Sequence, residues 1–147
     1  MSREIKILVV EDNLADAKLI LKGLSNFRFT NQAFHVSNAN DAIKLLTNQD
    51  PYEVSQIPDL IFLDLNLPDM PGLDLLSFIK NDDRLKQIPV IILSHCDNQS
   101  DIFQCYQNYA NCFINKSNDL KGLIEIFNKL ENFWFTIVKL PSQQNSR

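Results

Sequence analysis

Five polar residues whose types suit phosphoryl chemistry stand at the ends of short apolar stretches of the chain. They are Glu11, Asp12, Asp64, Ser94 and Lys116. Three carboxylates brought close together repel one another, and their pKa values rise unless a cation neutralises them. Because one lysine cannot balance three carboxylates, a hard divalent cation such as Mg²⁺ is expected to join them.

The reaction that this set supports is attack by a carboxylate on phosphorus, in which Asp64 forms an aspartyl phosphate. In such a site Lys116 holds one phosphoryl oxygen as a point charge, and the Ser94 hydroxyl donates a hydrogen bond to another. Mg²⁺ neutralises the charge that is spread over the phosphoryl oxygens. The predicted cation ligands are Glu11, Asp12, Asp64 and the backbone carbonyl oxygen of Asn66.

The stretch before Asp64 indicates where this chemistry lies in the fold. Residues 60–63 form an unbroken apolar run between Pro58 and Pro68, which predicts a strand buried on both faces. A strand without a polar face belongs in the middle of a parallel sheet. Asp64 then stands at its carboxyl end, where open α/β sheets bind their ligands.

Five strand patterns alternate with five helix patterns, which predicts an α/β fold: a three-layer, doubly wound (βα)5 parallel sheet. All five polar residues then meet at one edge of that sheet. Asn40 or Asp41 is expected to cap the second helix, and Ile102, Tyr106 and Tyr109 to form the apolar stripe of the fourth. The strand patterns lie at residues 5–10, 33–36, 60–63, 88–93 and 111–115, and the helix patterns at 14–24, 42–46, 73–79, 102–109 and 120–137.

Composition places limits on the class of protein. The chain has 147 residues, of which 45% are hydrophobic, and a net charge of -4. One domain with a sizeable core is expected, and the charge gives no basis for binding nucleic acid or an anionic membrane. The N-terminus has no signal-peptide pattern, so the three cysteines are expected to be reduced thiols in a cytoplasmic protein.

The motifs together resemble the receiver domains of two-component response regulators, the chemotaxis-regulator-like fold. The resemblance spans about residues 4–138 and is carried by residues 8–13, by residues 64–68 with Gly72, and by Leu93, Ser94 and Lys116. It implies a flavodoxin-like sheet with strand order 2-1-3-4-5. It also implies phosphotransfer from a histidine kinase to Asp64 with Mg²⁺, and self-directed transfer and hydrolysis rather than enzymatic turnover.

Residues 109–114 and 133–141 are similar to the single-domain regulators that serve phytochrome-type histidine kinases. This subgroup implies one receiver domain over residues 4–140 with an extended C-terminal helix, a polar tail at 141–147 and no output domain. Some of its members form dimers. Phe133, Trp134 and Phe135 are consecutive, so they cannot all face one core. We therefore predict a homodimer through this segment and the fourth helix; the alternative is that residues 133–138 fold back over the core.

The resemblance also assigns a switch and shows where this chain departs from the family pattern. Phe113 falls at the position of a switch aromatic, so signalling is expected through the face formed by the fourth helix, the fifth strand and the fifth helix. Ser117 replaces the proline that usually follows the lysine, and His95 replaces a small residue beside the pocket. Cys96 stands where the family varies, and Glu11 replaces the commoner aspartate. Ser117, His95 and Cys96 are expected to modulate the reaction, whereas Glu11 is a tolerated variation, because a longer carboxylate can bind the metal through water.

Two other functions stay open from the sequence. The first is a degenerate receiver that acts as a docking module without phosphorylation. Ser117 and His95 keep this alternative open, although the intact set Glu11, Asp12, Asp64, Ser94 and Lys116 argues against it. The second is a Mg²⁺-dependent phosphohydrolase of the dehalogenase type. Such enzymes carry a second aspartate as the general acid two residues after the nucleophile, where this chain has Asn66.

Overall fold

A computed structural model describes residues 4–27, 31–49, 57–95, 98–116 and 120–132. The five strands and five helices alternate as predicted. They are β1 (Ile5–Val10), α1 (Leu14–Ser25), β2 (Asn31–Val36), α2 (Ala39–Leu46), β3 (Leu60–Leu63), α3 (Gly72–Asn81), β4 (Val90–Ser94), α4 (Gln99–Gln107), β5 (Cys112–Asn115) and α5 (Leu120–Leu130). Cys96, Ser117, the aromatic residues at 133–135 and the tail at 141–147 lie outside the described residues.

The strands form one parallel sheet in the order β2-β1-β3-β4-β5, which confirms the predicted fold. All four residues of β3 are buried, as its unbroken apolar run predicts. The register pairs Val10 with Leu63 and Leu63 with Ile92. The carboxyl ends of β1, β3 and β4 therefore stop close to one another, and the residues that follow them share one edge of the sheet.

The core has two parts, one on each face of the sheet, because successive residues of a strand point to opposite faces. On one face, Leu8 and Val10 pack with buried residues of α2 and α3. On the other, Ile7 and Val9 pack with buried residues of α1 and with Leu130 of α5. Helices on both faces bury β3 completely, which fixes the backbone that carries Asp64.

Two local predictions were wrong. Asn38, rather than Asn40 or Asp41, caps α2, and its side chain accepts a hydrogen bond from the amide of Asp41 at 2.8 Å. In α4 the fully buried residue is Cys105, whereas Tyr106 and Tyr109 are 48% and 74% exposed. Tyr109 lies beyond the end of α4 with a φ of 69°, in the left-handed turn that leads the chain toward β5, so it does not continue the helical stripe.

Across the described ranges, no helix combines the length and the apolar character needed to cross a bilayer.

Candidate functional site

The ammonium group of Lys116 is the centre of the site. Only 1% of its side chain is exposed. Its Nζ donates hydrogen bonds to Glu11 Oε1 at 2.7 Å, to Asp16 Oδ2 at 2.8 Å and to Asp64 Oδ2 at 3.4 Å. An ammonium has three N–H donors, so these three carboxylates occupy all of them.

Backbone hydrogen bonds hold the site residues in place where the strands end. Each bond continues the pairing of neighbouring strands by one step, so the residues that follow the strands are held by the same kind of backbone hydrogen bond. The amide N–H of Glu11 donates to Val36 O at 3.0 Å, that of Asp64 to Val10 O at 3.0 Å, and that of Lys116 to Ser94 O at 2.7 Å.

The carboxylates of the site carry more negative charge than one lysine can offset. Burial raises the pKa of Glu11 to about 7, and the neighbouring Asp64 adds to the rise, while Lys116 opposes it. Burial alone would lower the pKa of Lys116, but its bonds to Asp16 and Glu11 and the charges of Asp64 and Glu11 outweigh burial and raise it. The ammonium is therefore held in its charged form, whereas burial disfavours the ionised form of Glu11.

The loop after β3 is held close to the Asp64 backbone. The amide N–H of Asn66 donates to Asp64 Oδ1 at 3.2 Å, and the amide N–H of Gly72 donates to Leu65 O at 2.7 Å. A Cβ atom at Gly72 would stand 2.5 Å from Asp64 O and 2.6 Å from Leu65 Cα. Glycine is therefore required where α3 begins, because a side chain would collide with the backbone that carries the predicted nucleophile.

The predicted metal ligands are only partly assembled. Among the described residues, no group of three or more acidic, histidine or cysteine side chains is arranged to hold a metal ion. The ammonium of Lys116 bonds to both Glu11 and Asp64, and Asp12 is exposed. The donor set nevertheless fits Mg²⁺, because its side-chain members are carboxylates, and a cation would favour the ionised form of Glu11, which burial and the neighbouring Asp64 disfavour. Glu11 would have to exchange Lys116 for the cation.

Ser94 and Phe113 lie on the neighbouring strands β4 and β5. Ser94 is completely buried at the end of β4, and its register partner in β5 is Asn115, which directly precedes Lys116. Phe113 is half-buried in β5 and packs against the core on the α2–α3 face. Its backbone N–H donates to Tyr106 Oη at 3.0 Å. This bond ties α4 to the outer edge of β5. Ser94 pairs with Asn115, two residues after Phe113 on the same strand.

Sequence reasoning missed Asp16, which contacts Lys116 from the first turn of α1. Asp16 Oδ2 also lies 3.2 Å from His95 Nε2, and the His95 side chain is 43% exposed. His95 thus points across the mouth of the site toward α1. Burial works to raise the pKa of Asp16, but the hydrogen bond and charge of Lys116, helped by His95, lower it. Any helix that follows a strand of this sheet starts beside the shared edge, so the topology places the first turn of α1 near the site without singling out Asp16.

A second missed contact fixes the backbone of Glu11. His35 Nε2 lies 2.9 Å from Glu11 O, and because a carbonyl only accepts hydrogen bonds, this nitrogen carries the proton. His35 belongs to β2, at the edge of the sheet, and its imidazole supports the first residue after β1. Both backbone polar groups of Glu11 are thus held by β2, its N–H by Val36 O and its carbonyl oxygen by His35.

Comparisons with known proteins give one consistent result. A family model described as the response regulator receiver domain matches residues 7–128. Response regulator Rcp1 of Synechocystis sp. is 37% identical over 136 residues, which cover 92% of this chain and 92% of the relative. The crystal structure of Mn²⁺-bound Rcp1 superposes with a TM-score of 0.89 at 36% identity, covering 94% of this chain and 99% of that one. The phosphorylated cyanobacterial phytochrome response regulator RcpA gives a TM-score of 0.91 at 41% identity, covering 95% and 100%.

Proposed function

The chain belongs to the response regulator receiver domain family, and from that premise we propose that it accepts a phosphoryl group from a histidine kinase on Asp64. The observation that carries the proposal is the buried Lys116 ammonium, 3.4 Å from Asp64 Oδ2 at the shared edge of the sheet. A lysine in this position can bind a phosphoryl oxygen without leaving the pocket.

The transfer makes one bond and breaks one bond. A carboxylate oxygen of Asp64 attacks phosphorus, the P–O bond forms, and the P–N bond to the donor histidine breaks, so that its electron pair stays on the imidazole nitrogen. Lys116 binds one phosphoryl oxygen in place of its long contact with Asp64. The hydroxyl of Ser94, at the end of the adjacent strand, donates a hydrogen bond to another oxygen.

We assign the cation to Mg²⁺, with Glu11, Asp12, Asp64 and the backbone carbonyl oxygen of Asn66 as its protein ligands. When bound, the cation neutralises the charge that the phosphoryl group brings to the carboxylates. A bound cation would stabilise the ionised form of Glu11, whose pKa burial raises to about 7. The crystal structure of Rcp1 contains bound Mn²⁺, which supports a divalent cation at the corresponding site of this chain.

The signal then leaves through the α4-β5-α5 face. Phosphorylation draws Ser94 toward the phosphoryl group, and Phe113 turns inward behind it. Because the Phe113 backbone N–H is bonded to Tyr106 Oη at 3.0 Å, a shift of the β5 backbone that accompanies this turn would also move α4. Phe103 and Tyr106 of α4 are 64% and 48% exposed, so a change in α4 alters an apolar surface that a partner can bind.

The kinase partner is proposed to be of the phytochrome type, because RcpA, 41% identical to this chain, is a phytochrome response regulator. We further propose a single cytoplasmic receiver domain over residues 4–140, with no enzymatic turnover and with homodimerisation through its C-terminal segment and α4. Light scattering after size exclusion tests the dimer in both phosphorylation states. A monomer at micromolar concentration in both states would refute dimerisation.

The phosphoacceptor is tested with acetyl phosphate and Mg²⁺. Intact mass spectrometry is expected to show one added phosphoryl group on the wild-type protein and none on Asp64→Asn, which keeps the shape of the side chain but removes its charge. Omitting Mg²⁺ is expected to prevent the gain. Reduction with borohydride followed by peptide mapping separates Asp64 from Asp59 in the same segment.

The same experiment separates the alternatives. A wild-type protein that binds Mg²⁺ but shows neither an adduct nor phosphate release would leave the docking module as the function. Sustained hydrolysis of phosphate esters that Asp64→Asn abolishes would instead identify a phosphohydrolase. A short-lived adduct in a quenched-flow time course would support the receiver function, with rapid hydrolysis of the aspartyl phosphate.

A further inference from the structure

We propose that Asp16 is a positioning residue, which keeps the Lys116 ammonium in the pocket when the cation and the phosphoryl group draw Glu11 and Asp64 away from it. This inference rests on the proposed function and extends it to a residue outside the predicted set of ligands and phosphate contacts. It follows from the number of acceptors around the ammonium and from what each acceptor does during the reaction.

Two of the three acceptors of Lys116 have other tasks during phosphotransfer. Glu11, at 2.7 Å, is a proposed cation ligand, and Asp64, at 3.4 Å, becomes the phosphorylated group. Asp16, at 2.8 Å, has neither task. In the loaded site, therefore, Asp16 is the carboxylate among these three that still accepts a hydrogen bond from Lys116.

The carboxylate of Asp16 is fixed well enough to act as an anchor. The backbone N–H of Asp16 donates to Asn13 Oδ1 at 2.9 Å, which caps α1 and sets the first turn. Its Oδ2 accepts from both Lys116 and His95, at 2.8 Å and 3.2 Å. Only 17% of the side chain is exposed. A carboxylate held by its helix and by two donors defines one position for the ammonium.

An anchor matters because the four-carbon side chain of lysine is flexible and loses much conformational freedom when its ammonium group is fixed. With Asp16 present, the ammonium that binds the phosphoryl oxygen is already placed. Without it, Lys116 must be ordered by the phosphoryl group itself, and the transition state for transfer loses that preorganisation.

The first test is a double-mutant cycle on the rate of Asp64 phosphorylation by acetyl phosphate at saturating Mg²⁺. Asp16→Asn is expected to slow the reaction about tenfold, the scale of one buried charge-assisted hydrogen bond. In a Lys116→Met background the same substitution is expected to change the rate less than about twofold, because its effect passes through the lysine. Equal slowing in both backgrounds, or faster phosphorylation of Asp16→Asn, would overturn the inference.

The matched control is Asp41→Asn. Asp41 stands in the first turn of α2, three residues after an asparagine cap, as Asp16 does in α1. Its Oδ2 accepts from Asn38 Nδ2 on its own helix at 3.2 Å. This variant therefore removes a carboxylate from the same helical position, and the phosphorylation rate is expected to stay within about twofold of wild type.

A second readout does not depend on phosphorylation. In ¹⁵N-lysine-labelled protein, the buried Lys116 ammonium is expected to give a slowly exchanging NMR signal in metal-free wild type and in metal-free Asp16→Asn, because Glu11 remains its partner. On addition of Mg²⁺, the wild type is expected to keep the signal and Asp16→Asn to lose it. The same behaviour of both proteins with Mg²⁺ would overturn the role of Asp16, whereas a wild type that never gains a phosphoryl group would refute the proposed function instead.

Discussion

Replacing Gly72 by alanine is expected to destabilise the protein and to disturb the site at the same time. The added Cβ would stand 2.5 Å from Asp64 O, 2.6 Å from Leu65 Cα and 2.9 Å from Leu65 O. Carbon atoms in contact prefer separations of roughly 3.5–4.0 Å, so α3 or the loop must move by about 1 Å. All three neighbours are backbone atoms, which cannot rotate out of the way as a side chain can.

The magnitude follows from three contributions. Overpacking of this kind costs about 1–3 kcal/mol, and weakening the 2.7 Å bond from Gly72 N–H to Leu65 O costs about 1 kcal/mol more. Alanine offsets about 0.4–1 kcal/mol of this loss because it reduces the conformational entropy of the unfolded chain. The free energy of unfolding is therefore expected to fall by about 2 kcal/mol.

Urea denaturation measures this loss, and Gly23→Ala is the control. Gly23 lies inside α1, where alanine is the better helix former by about 1 kcal/mol, so this variant is expected to be at least as stable as wild type. Gly72→Ala is also expected to be phosphorylated more slowly, since the displaced peptide carries Asp64. A Gly72→Ala protein with wild-type stability and wild-type phosphorylation would refute the close approach of α3 to the Asp64 backbone.

Three further predictions follow from the charged groups. The pKa of Glu11 is raised to about 7, so below that pH Mg²⁺ must displace a proton from Glu11. The apparent Kd for Mg²⁺, measured by calorimetry, is therefore expected to fall about tenfold from pH 6 to pH 8. The Glu11→Gln variant is expected to show a much weaker pH dependence. Asp69 accepts from the first two amides of α2, at 2.9 Å and 2.8 Å, so Asp69→Ala is expected to cost about 1–2 kcal/mol in urea unfolding, with Asp69→Asn losing less. These bonds outweigh burial and lower the pKa of Asp69, so its contribution is present above pH 3.8 and lost as the pH falls through the folded-state pKa. Lys116→Met leaves the buried carboxylates without a cation, so it is expected to lower the free energy of unfolding by about 3 kcal/mol at pH 8. The loss is expected to be smaller at pH 5, where Glu11 is protonated. An equal loss at both pH values would contradict the charge interaction between Lys116 and Glu11.

The central strand and the residues at the strand ends could be predicted because their signals are local. A run of four buried apolar residues has few alternatives to a central parallel strand, and that strand places Asp64 at the edge of the sheet. Lys116 and Ser94 follow the same rule. The hydrogen bond from the Lys116 amide to Ser94 O, at 2.7 Å, is the direct consequence of β4 and β5 being parallel neighbours.

Asp16 could not be predicted from the same kind of signal. Asp16, Asp41 and Asp101 each follow an asparagine cap by three residues, and in each helix the cap accepts from the aspartate amide. The local pattern is therefore the same three times, and it indicates a capped helix in each case. Only the tertiary position of α1, whose first turn meets the side chain of Lys116, brings one of these carboxylates to a buried ammonium.

The stripe of α4 was mispredicted for a related reason. Aromatic residues at helical spacing usually mark the buried face of a helix, but here Cys105 takes that place and Phe103 and Tyr106 are largely exposed. Hydrophobicity alone cannot separate a residue that packs in the core from one on a face that a partner covers.

The hydroxyl of Tyr106 has a consequence for the outer edge of the sheet. β5 is a terminal strand, and a terminal strand offers unpaired backbone groups to any other extended chain, which is a route to aggregation. The Phe113 N–H is already engaged by Tyr106 Oη at 3.0 Å, so an incoming strand would have to displace a side chain of the protein itself. Tyr106 thus blocks this backbone donor from pairing with another strand, and the donor becomes available only when α4 moves.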